Sequence, residues 1–413
     1  MPTSRKTSKS GQVEPAASRP RAGPRLAQLE ELEVVVEKLV AGGDGLARFE
    51  GIPIFVARTA PGDRVRVRLV ERRADYGRAE IVEILEPGPG RREAPCPHFD
   101  NCGGCDLQHL EDDLQVELKA RAFRETLCRL GGLDSSLPME VVAGAPWGYR
   151  VRTQVHTAGE GDDLKVGYRG RRSDEVVRVE SCPVLVPELD IWLADLAEQL
   201  PEAPPRRLDL LAGDQETLST APVTPNLPHG SLSISVGEFS YELDARCFFQ
   251  AHRQLLPGLV ELVLGDWTGD AAFDLYAGIG LFSLPLARRY KQVVAVEGDR
   301  VASRYVRRNA RRYRLDHLRV VSSAVESWIP NLPPAADRLI VDPPRPGLSK
   351  QIRHQIRHCR PRRLTYVSCH AAALARDLKD LIAHYAIEQV TLLDMFPQTG
   401  HMEAVVQLSS LSS

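Results

Sequence analysis

From residue 271 onward, short apolar runs alternate with amphipathic helical stretches, and few folds accept that rhythm. Apolar runs at 271–276, 292–297, 318–322, 338–342 and 363–368 read as buried strands. Helical patterns lie between and after them, at 281–289, 299–312, 349–358 and 371–383. This alternation predicts an α/β class with a doubly wound, Rossmann-like parallel sheet. The last two runs, 387–394 and 402–408, follow one another without a helix and should pair antiparallel. In such a sheet, ligands and chemistry gather where strands end at their carboxyl edge.

Cys369 stands at one of those ends. A lone free cysteine is most often a small buried filler. Here the neighbouring strand ends favour a nucleophile. Asp342-Pro343-Pro344 follows another strand, with two prolines stiffening the turn that carries the carboxylate. Beyond Cys369, the stretch from Asp394 to Glu403 supplies a second acidic turn. Asp274-Leu275-Tyr276-Ala277-Gly278-Ile279-Gly280 ends the first strand, where Gly278 and Gly280 let the backbone approach a cofactor closely. Glu297 closes the second strand seventeen residues after Gly280, where a ribose-binding carboxylate belongs. The six-residue pyrophosphate fingerprint is missing, so S-adenosylmethionine suits this turn better than NAD.

A methyl donor beside a thiol suggests chemistry at carbon 5 of a pyrimidine. That carbon is a poor nucleophile until a thiolate adds at carbon 6 and forms an enolate. It then attacks the sulfonium methyl, a base removes the carbon-5 proton, and the thiol departs. Cys369 and Glu403 are the candidates for nucleophile and base. A base held inside RNA structure would have to be flipped out to reach them.

The N-terminal half reads differently. At 413 residues, two or three domains are expected. Met1–Arg25 is rich in Ser, Pro, Arg and Lys and has no apolar core, as in a disordered tail rather than a signal peptide. A run of about eighteen apolar residues is absent, so no membrane span is expected. Strand-like runs at 32–40, 52–57, 63–70 and 78–85 predict a small OB-type barrel. Its outward Arg64, Arg66, Arg68, Arg72, Arg73 and Arg78 make it a candidate RNA platform. The net charge of −2 gives no global basic field, so any such attraction must be local.

Past a Pro-Gly linker at 87–90 stand Cys96, Cys102 and Cys105, the last pair two residues apart among glycines. That is metal-ligand spacing, and Cys182 is the best distant fourth ligand. On spacing alone a [4Fe–4S] cluster and zinc are both open, with His98 or His109 as an alternative fourth zinc ligand. Eight cysteines without a secretory signal point to a reducing, cytoplasmic setting, and Cys128, Cys247 and Cys359 have no ligand-like context. A helix is expected at 110–130 and another at 189–200, with strands elsewhere up to residue 243.

Phe248-Phe249-Gln250, Asp274-Leu275-Tyr276, Asp342 to Leu348, Tyr366 to Cys369 and Asp394 to Thr399 together resemble motifs of the bacterial RNA 5-methyluridine methyltransferases. The branch with an N-terminal TRAM barrel and a [4Fe–4S] cluster, typically acting on 23S ribosomal RNA, is the best likeness. The resemblance implies that Gln250, Tyr276, Glu297 and Asp342, with Gly278 and Gly280, bind S-adenosylmethionine. Cys369 would be the nucleophile, Glu403 the base, and Cys96, Cys102, Cys105 and Cys182 the iron–sulfur ligands. It implies a tail at 1–28, a TRAM barrel at 29–88, a β-rich iron–sulfur domain at 89–246 and a methyltransferase domain at 247–413. The expected partner is ribosomal RNA, with tRNA as the alternative, and the chain is expected to act as a monomer. A decayed, cluster-bearing RNA-binding protein and an NAD-dependent oxidoreductase are the rival readings.

Five positions depart from the family pattern. Ala277 and Leu281 replace a Cys and an Asn in the glycine turn, which puts a cofactor contact at Leu281 in doubt. His252 stands where Asn is usual, and His370-Ala371 replaces Asn-Pro after the nucleophile. The loop carrying the thiol is therefore expected to be looser or tuned differently.

Overall fold

The computed structural model of the chain describes residues 30–411, so the expected tail at 1–28 lies outside the described residues. Residues 31–86 form a closed five-stranded barrel from Glu31–Leu39, Gly45–Phe49, Ile52–Val56, Arg64–Arg72 and Gly77–Glu86. Strict alternation drives it: Leu32, Val34 and Val36 point inward with Val65, Val67 and Leu69, while the residues between them face water. The strand pattern in the sequence missed Gly45–Phe49, which is squeezed between two glycine turns and too short to show a period.

The arginine face of that barrel is not bare. Arg64 pairs with Glu33 and Glu86, Arg66 with Glu33 and Glu83, and Arg68 with Glu31. Arg73 reaches Glu71, and Arg78 reaches Asp44 and Glu71. Strand register sets glutamates beside these arginines, with Arg64 opposite Glu86, Arg66 opposite Glu83 and Arg68 opposite Glu31. Exposed pairs of this kind add little stability, but they cancel much of the basic field expected there.

The C-terminal sheet has eight strands. Gly269–Leu275 lies inside it, with Tyr290–Glu297 and Leu318–Ser322 stepping out on one side. Arg338–Val341 and Arg363–Ser368 continue the parallel order on the other side. Glu403–Ser410 then pairs antiparallel with Arg363–Ser368, and Tyr385–Leu393 antiparallel with Glu403–Ser410, as the missing helix between them implied. One face carries helices Leu256–Leu264 and Arg300–Arg312, whose Leu259, Val263 and Val306 enter the larger core. The other carries Lys350–Cys359 and Ala371–Leu381, through Ile352, Ile356, Leu374 and Leu378. The helix expected at 281–289 shrinks to the single turn Ser283–Leu286.

A boundary at residue 246 divides the sequence but not the space. Helix Asp112–Gly131 packs Phe123 and Leu127 into the same core as Leu374 and Leu378. Strand Met139–Val142 then completes the C-terminal sheet, parallel to Tyr385–Leu393. What remains between them and residue 246 centres on an antiparallel sheet, ordered Leu218–Ala221, Arg207–Ala212, Arg152–Ala158, Lys165–Arg169 and Val176–Arg178. Leu189, Leu193 and Leu196 of helix Pro187–Gln199 are buried in the same core cluster as Val155 and Leu208 of this sheet. No helix among the described residues is long and apolar enough to cross a membrane.

Candidate active site

Parallel register aligns the strand ends. Leu275 is level with Val296 and Val341, and Val341 with Tyr366. Tyr276, Glu297, Asp342 and Cys369 therefore leave the sheet at one carboxyl edge. Strand order reverses between Gly269–Leu275 and Arg338–Val341, so this edge holds the crevice of the sheet. On the antiparallel side the ladder ends with Ser368 opposite Ala404, which brings Cys369, just past the strand end, close enough for the Glu403 carboxylate to act on its thiol.

Glu403 is 2% exposed, and burial, with Asp342 adding to it, raises its carboxyl well above the usual range. Asp342 is raised to about 7 by burial and then by Asp274. Burial pushes the Cys369 thiol up to about 11; Glu403 and Asp342 add to this and Arg345 opposes it. Arg345 Nη2 lies 3.3 Å from His401 Nε2. Burial, then Arg345, lowers His401 to about 4, so the ring is neutral at pH 7 and its Nε2 can accept from the guanidinium.

Asp274 is fully buried and raised to about 7, first by burial. One of its oxygens accepts from Ser283 Oγ at 2.5 Å, and the other has no partner. Its folded pKa lies above the ordinary 3.8, so the native state holds this proton more tightly than the unfolded chain. Stability is therefore lost as pH rises from about 4 to about 7. Asp274→Asn should raise the melting temperature by about 2–4 °C at pH 8 and by much less at pH 4, measured by thermal denaturation at both values.

The glycine turn is shaped for a ligand. Tyr276, Gly278 and Gly280 adopt φ of 64°, 55° and 91°, turning the chain sharply off the strand. A side chain at Gly280 would also meet Leu284 at 2.8 Å. Glu297 braces the turn, accepting from Gly278 N at 2.7 Å and from Asp299 N at 2.6 Å. Gln250 is buried, and its side-chain oxygen has no hydrogen-bond partner.

The family departures resolve individually. Leu281 is a core residue, and its carbonyl accepts from Tyr241 Oη at 2.8 Å. His252 is buried and stacked on Tyr149, with ring centroids 4.7 Å apart. His370 does not leave the thiol loop loose. Its Nδ1 accepts from Ala373 N at 3.1 Å, capping helix Ala371–Leu381, while its own N–H donates to Ser368 Oγ at 3.2 Å.

The turn that leads into Glu403 is held from far away in sequence. Lys119, on helix Asp112–Gly131, donates to Asp394 Oδ1 at 2.5 Å and to the carbonyls of Phe396 and His401. The side chains of Lys119 and Asp394 are 1% and 3% exposed. Sequence reading missed Lys119, Asp274, Arg345 and His401. The last three stand in or beside the motif stretches, where their neighbours could have flagged them, whereas nothing local marks Lys119. Lys119→Met should cost about 3–5 kcal/mol of stability by stranding the Asp394 charge, measurable by urea denaturation.

The cysteine loop converges with Cys182. Cys96 raises the Cys102 thiol, Cys102 and Cys182 raise Cys105, and Cys102 raises Cys182, each in addition to burial. Arg150 opposes that shift at Cys102, Cys105 and Cys182, so a guanidinium faces three of the four thiols. Gly104 N donates to Cys102 Sγ at 3.3 Å. Among the described residues, no three His, Cys, Asp or Glu side chains come close enough to share one metal ion. Four thiols, a facing guanidinium and an N–H···S bond are a donor set that fits a thiolate-bound metal group.

Known proteins resemble this chain in sequence and in fold. Residues 334–411 match the family described as tRNA (uracil-5-)-methyltransferase, and residues 27–82 match the TRAM domain. A Pectobacterium atrosepticum protein named 23S rRNA (uracil(1939)-C(5))-methyltransferase RlmD is 34% identical, across 91% of this chain and 93% of its own. A protein of the same name from Pseudomonas putida is 31% identical over 94% of this chain and 96% of its own. The crystal structure of Pyrococcus abyssi tRNA (uracil-54, C5)-methyltransferase, a complex with S-adenosyl-L-homocysteine, shares the fold. It has a TM-score of 0.71 at 24% identity and covers 91% of this chain and 100% of its own. The sheet, the barrel and these likenesses lead to one conclusion: this chain belongs to the RNA uracil-C5 methyltransferase family.

Proposed function

We propose that this enzyme methylates carbon 5 of a uridine in 23S ribosomal RNA, with Cys369 as covalent nucleophile and Glu403 as general base. The observation that carries the reading is the ladder register that sets Cys369 beside Glu403 at the sheet's open edge, with Asp342 at the adjoining strand end. S-adenosylmethionine, when bound, supplies an electrophilic methyl group on a positively charged sulfur. Gln250, Tyr276, Gly278, Gly280, Glu297 and Asp342 are the residues proposed to hold it. Glu297 fits a ribose, and the unpartnered Gln250 oxygen offers a free acceptor.

Cys369 gives its proton to solvent and its sulfur bonds to carbon 6, sending the double-bond electrons onto the ring's carbon-4 oxygen. Carbon 5, now electron-rich, takes the methyl group. Glu403 then removes the carbon-5 proton, the C5–H electrons restore the double bond, and the carbon–sulfur bond breaks to release the thiolate. A carboxylate whose proton affinity is raised by burial is a stronger base than a solvated one.

Ribosomal RNA is favoured because relatives aligned over nine-tenths of both chains carry that substrate in their names. Labelled donor with unmodified 23S rRNA and tRNA should place label in 5-methyluridine of the rRNA. Label confined to tRNA would overturn the substrate, and label only in 5-methylcytidine would overturn the chemistry.

Cys96, Cys102, Cys105 and Cys182 are proposed to hold a [4Fe–4S] cluster. Protein purified without oxygen should be brown, with roughly four iron and four sulfide per chain. A colourless protein with stoichiometric zinc would defeat this assignment.

A further inference from the structure

We infer that Asp106 is a positioning residue for proton removal by Glu403, an inference that rests on the reading of Glu403 as base. Asp106 is next to Cys105 in the cysteine loop, yet its bonds run to the turn that leads into Glu403. Its backbone N–H donates to Gln398 O at 2.9 Å, and Leu107 N donates to the same oxygen at 3.0 Å. Its carboxylate Oδ2 accepts from Gly400 N at 3.3 Å, three residues before Glu403. Oδ1 accepts from Arg171 Nη1 at 3.2 Å.

Arg171 is in turn 3.6 Å from Asp44 in the barrel's Gly42–Gly45 turn. That turn is pressed against Gly400, where any side chain would lie 2.3 Å from the Gly42 carbonyl carbon. A pocket of about 160 Å³ brings Gly42, Gly400, His401 and Lys119 together around Cys369. Barrel, cysteine loop and central sheet thus meet on one turn, and Asp106 is the side chain that joins them to it.

The other supports of this turn leave the Gly400 N–H untouched. Lys119 grips the carbonyls of Phe396 and His401. Gln115 exchanges hydrogen bonds with Gln398, and Tyr149 Oη donates to Pro397 O. Loss of the Asp106 carboxylate should therefore shift the approach to Glu403 without unfolding the turn. The steps that need only Cys369 and the donor should proceed, while removal of the carbon-5 proton should slow. The methylated, cysteine-linked RNA then persists, because the carbon–sulfur bond cannot break until that proton leaves.

The test compares the wild type with Asp106→Ala and Asp106→Asn, each full-length and matched for iron content. Turnover of Asp106→Ala should fall about 10–100-fold, with donor affinity unchanged. Denaturant-stable adduct with 5-fluorouridine RNA should form at the wild-type rate. With ordinary uridine RNA, a methylated covalent adduct absent from the wild type should accumulate, and Asp106→Asn should lie between the two. Turnover at the wild-type level in both variants would overturn the inference. So would an adduct rate that falls in step with turnover, which marks a structural role only. A wild type that forms no 5-fluorouridine adduct would instead remove the underlying reading of the site.

Discussion

Cys369→Ala should abolish methylation, lowering turnover by about 10⁴-fold or more, as removal of a covalent nucleophile does elsewhere. The side chain is half-buried at a strand end and forms no disulfide with any described residue, so the fold and donor binding should survive. The loss has a chemical cause. Without sulfur addition at carbon 6, carbon 5 carries too little electron density to attack a methyl group. The substitution should also eliminate the denaturant-stable adduct that 5-fluorouridine RNA forms with the wild type. In that analogue fluorine replaces the proton that Glu403 would remove, so the adduct is trapped. An alanine variant that retains full turnover would sink the covalent mechanism, whatever the family relationship.

Glu403→Gln should slow turnover by about 10²–10⁴-fold and leave a methylated covalent adduct visible with ordinary uridine RNA. Burial and Asp342 both disfavour the charged form of this carboxyl. A neutral glutamine of the same shape should therefore be tolerated by the fold, and a loss of activity cannot be blamed on unfolding. The contrast with Cys369→Ala separates the two roles. One variant never forms the adduct; the other forms it and cannot resolve it. Free 5-methyluridine appearing from Glu403→Gln at the wild-type rate would require a different base.

The same environment explains why the site is costly to the fold. Asp274, Asp342 and Glu403 all have raised pKa values, and each pays a desolvation penalty to ionise. The surrounding sheet is packed with apolar side chains on both faces, which is what makes ionisation there costly. Cys369 is affected in the opposite functional sense, since two neighbouring carboxylates disfavour its thiolate. Arg345, oriented by a neutral His401, is the protein group that works against them.

Strand periodicity was enough to locate the working edge of the sheet. Tyr276, Glu297, Asp342 and Cys369 follow buried apolar runs, and a parallel sheet must bring such endpoints to one side. The meeting of Cys369 with Glu403 was not legible in the same way, since two final strands with no helix between them imply only that they pair with each other. Charge on the barrel could not be read this way. Arg64, Arg66 and Arg68 look basic along one strand, but their glutamate partners lie on neighbouring strands, and register is a tertiary fact.

By itself, the order of residues determined the fold class and which residues leave the sheet at its carboxyl edge, because both follow from local periodicity and short motifs. Only the tertiary structure decided what holds that site in shape. Lys119 meets Asp394 across 275 positions, and Asp106 meets Gly400 across 294. No local pattern encodes such a meeting, since a polar side chain buried against a distant partner looks in sequence like one that faces water.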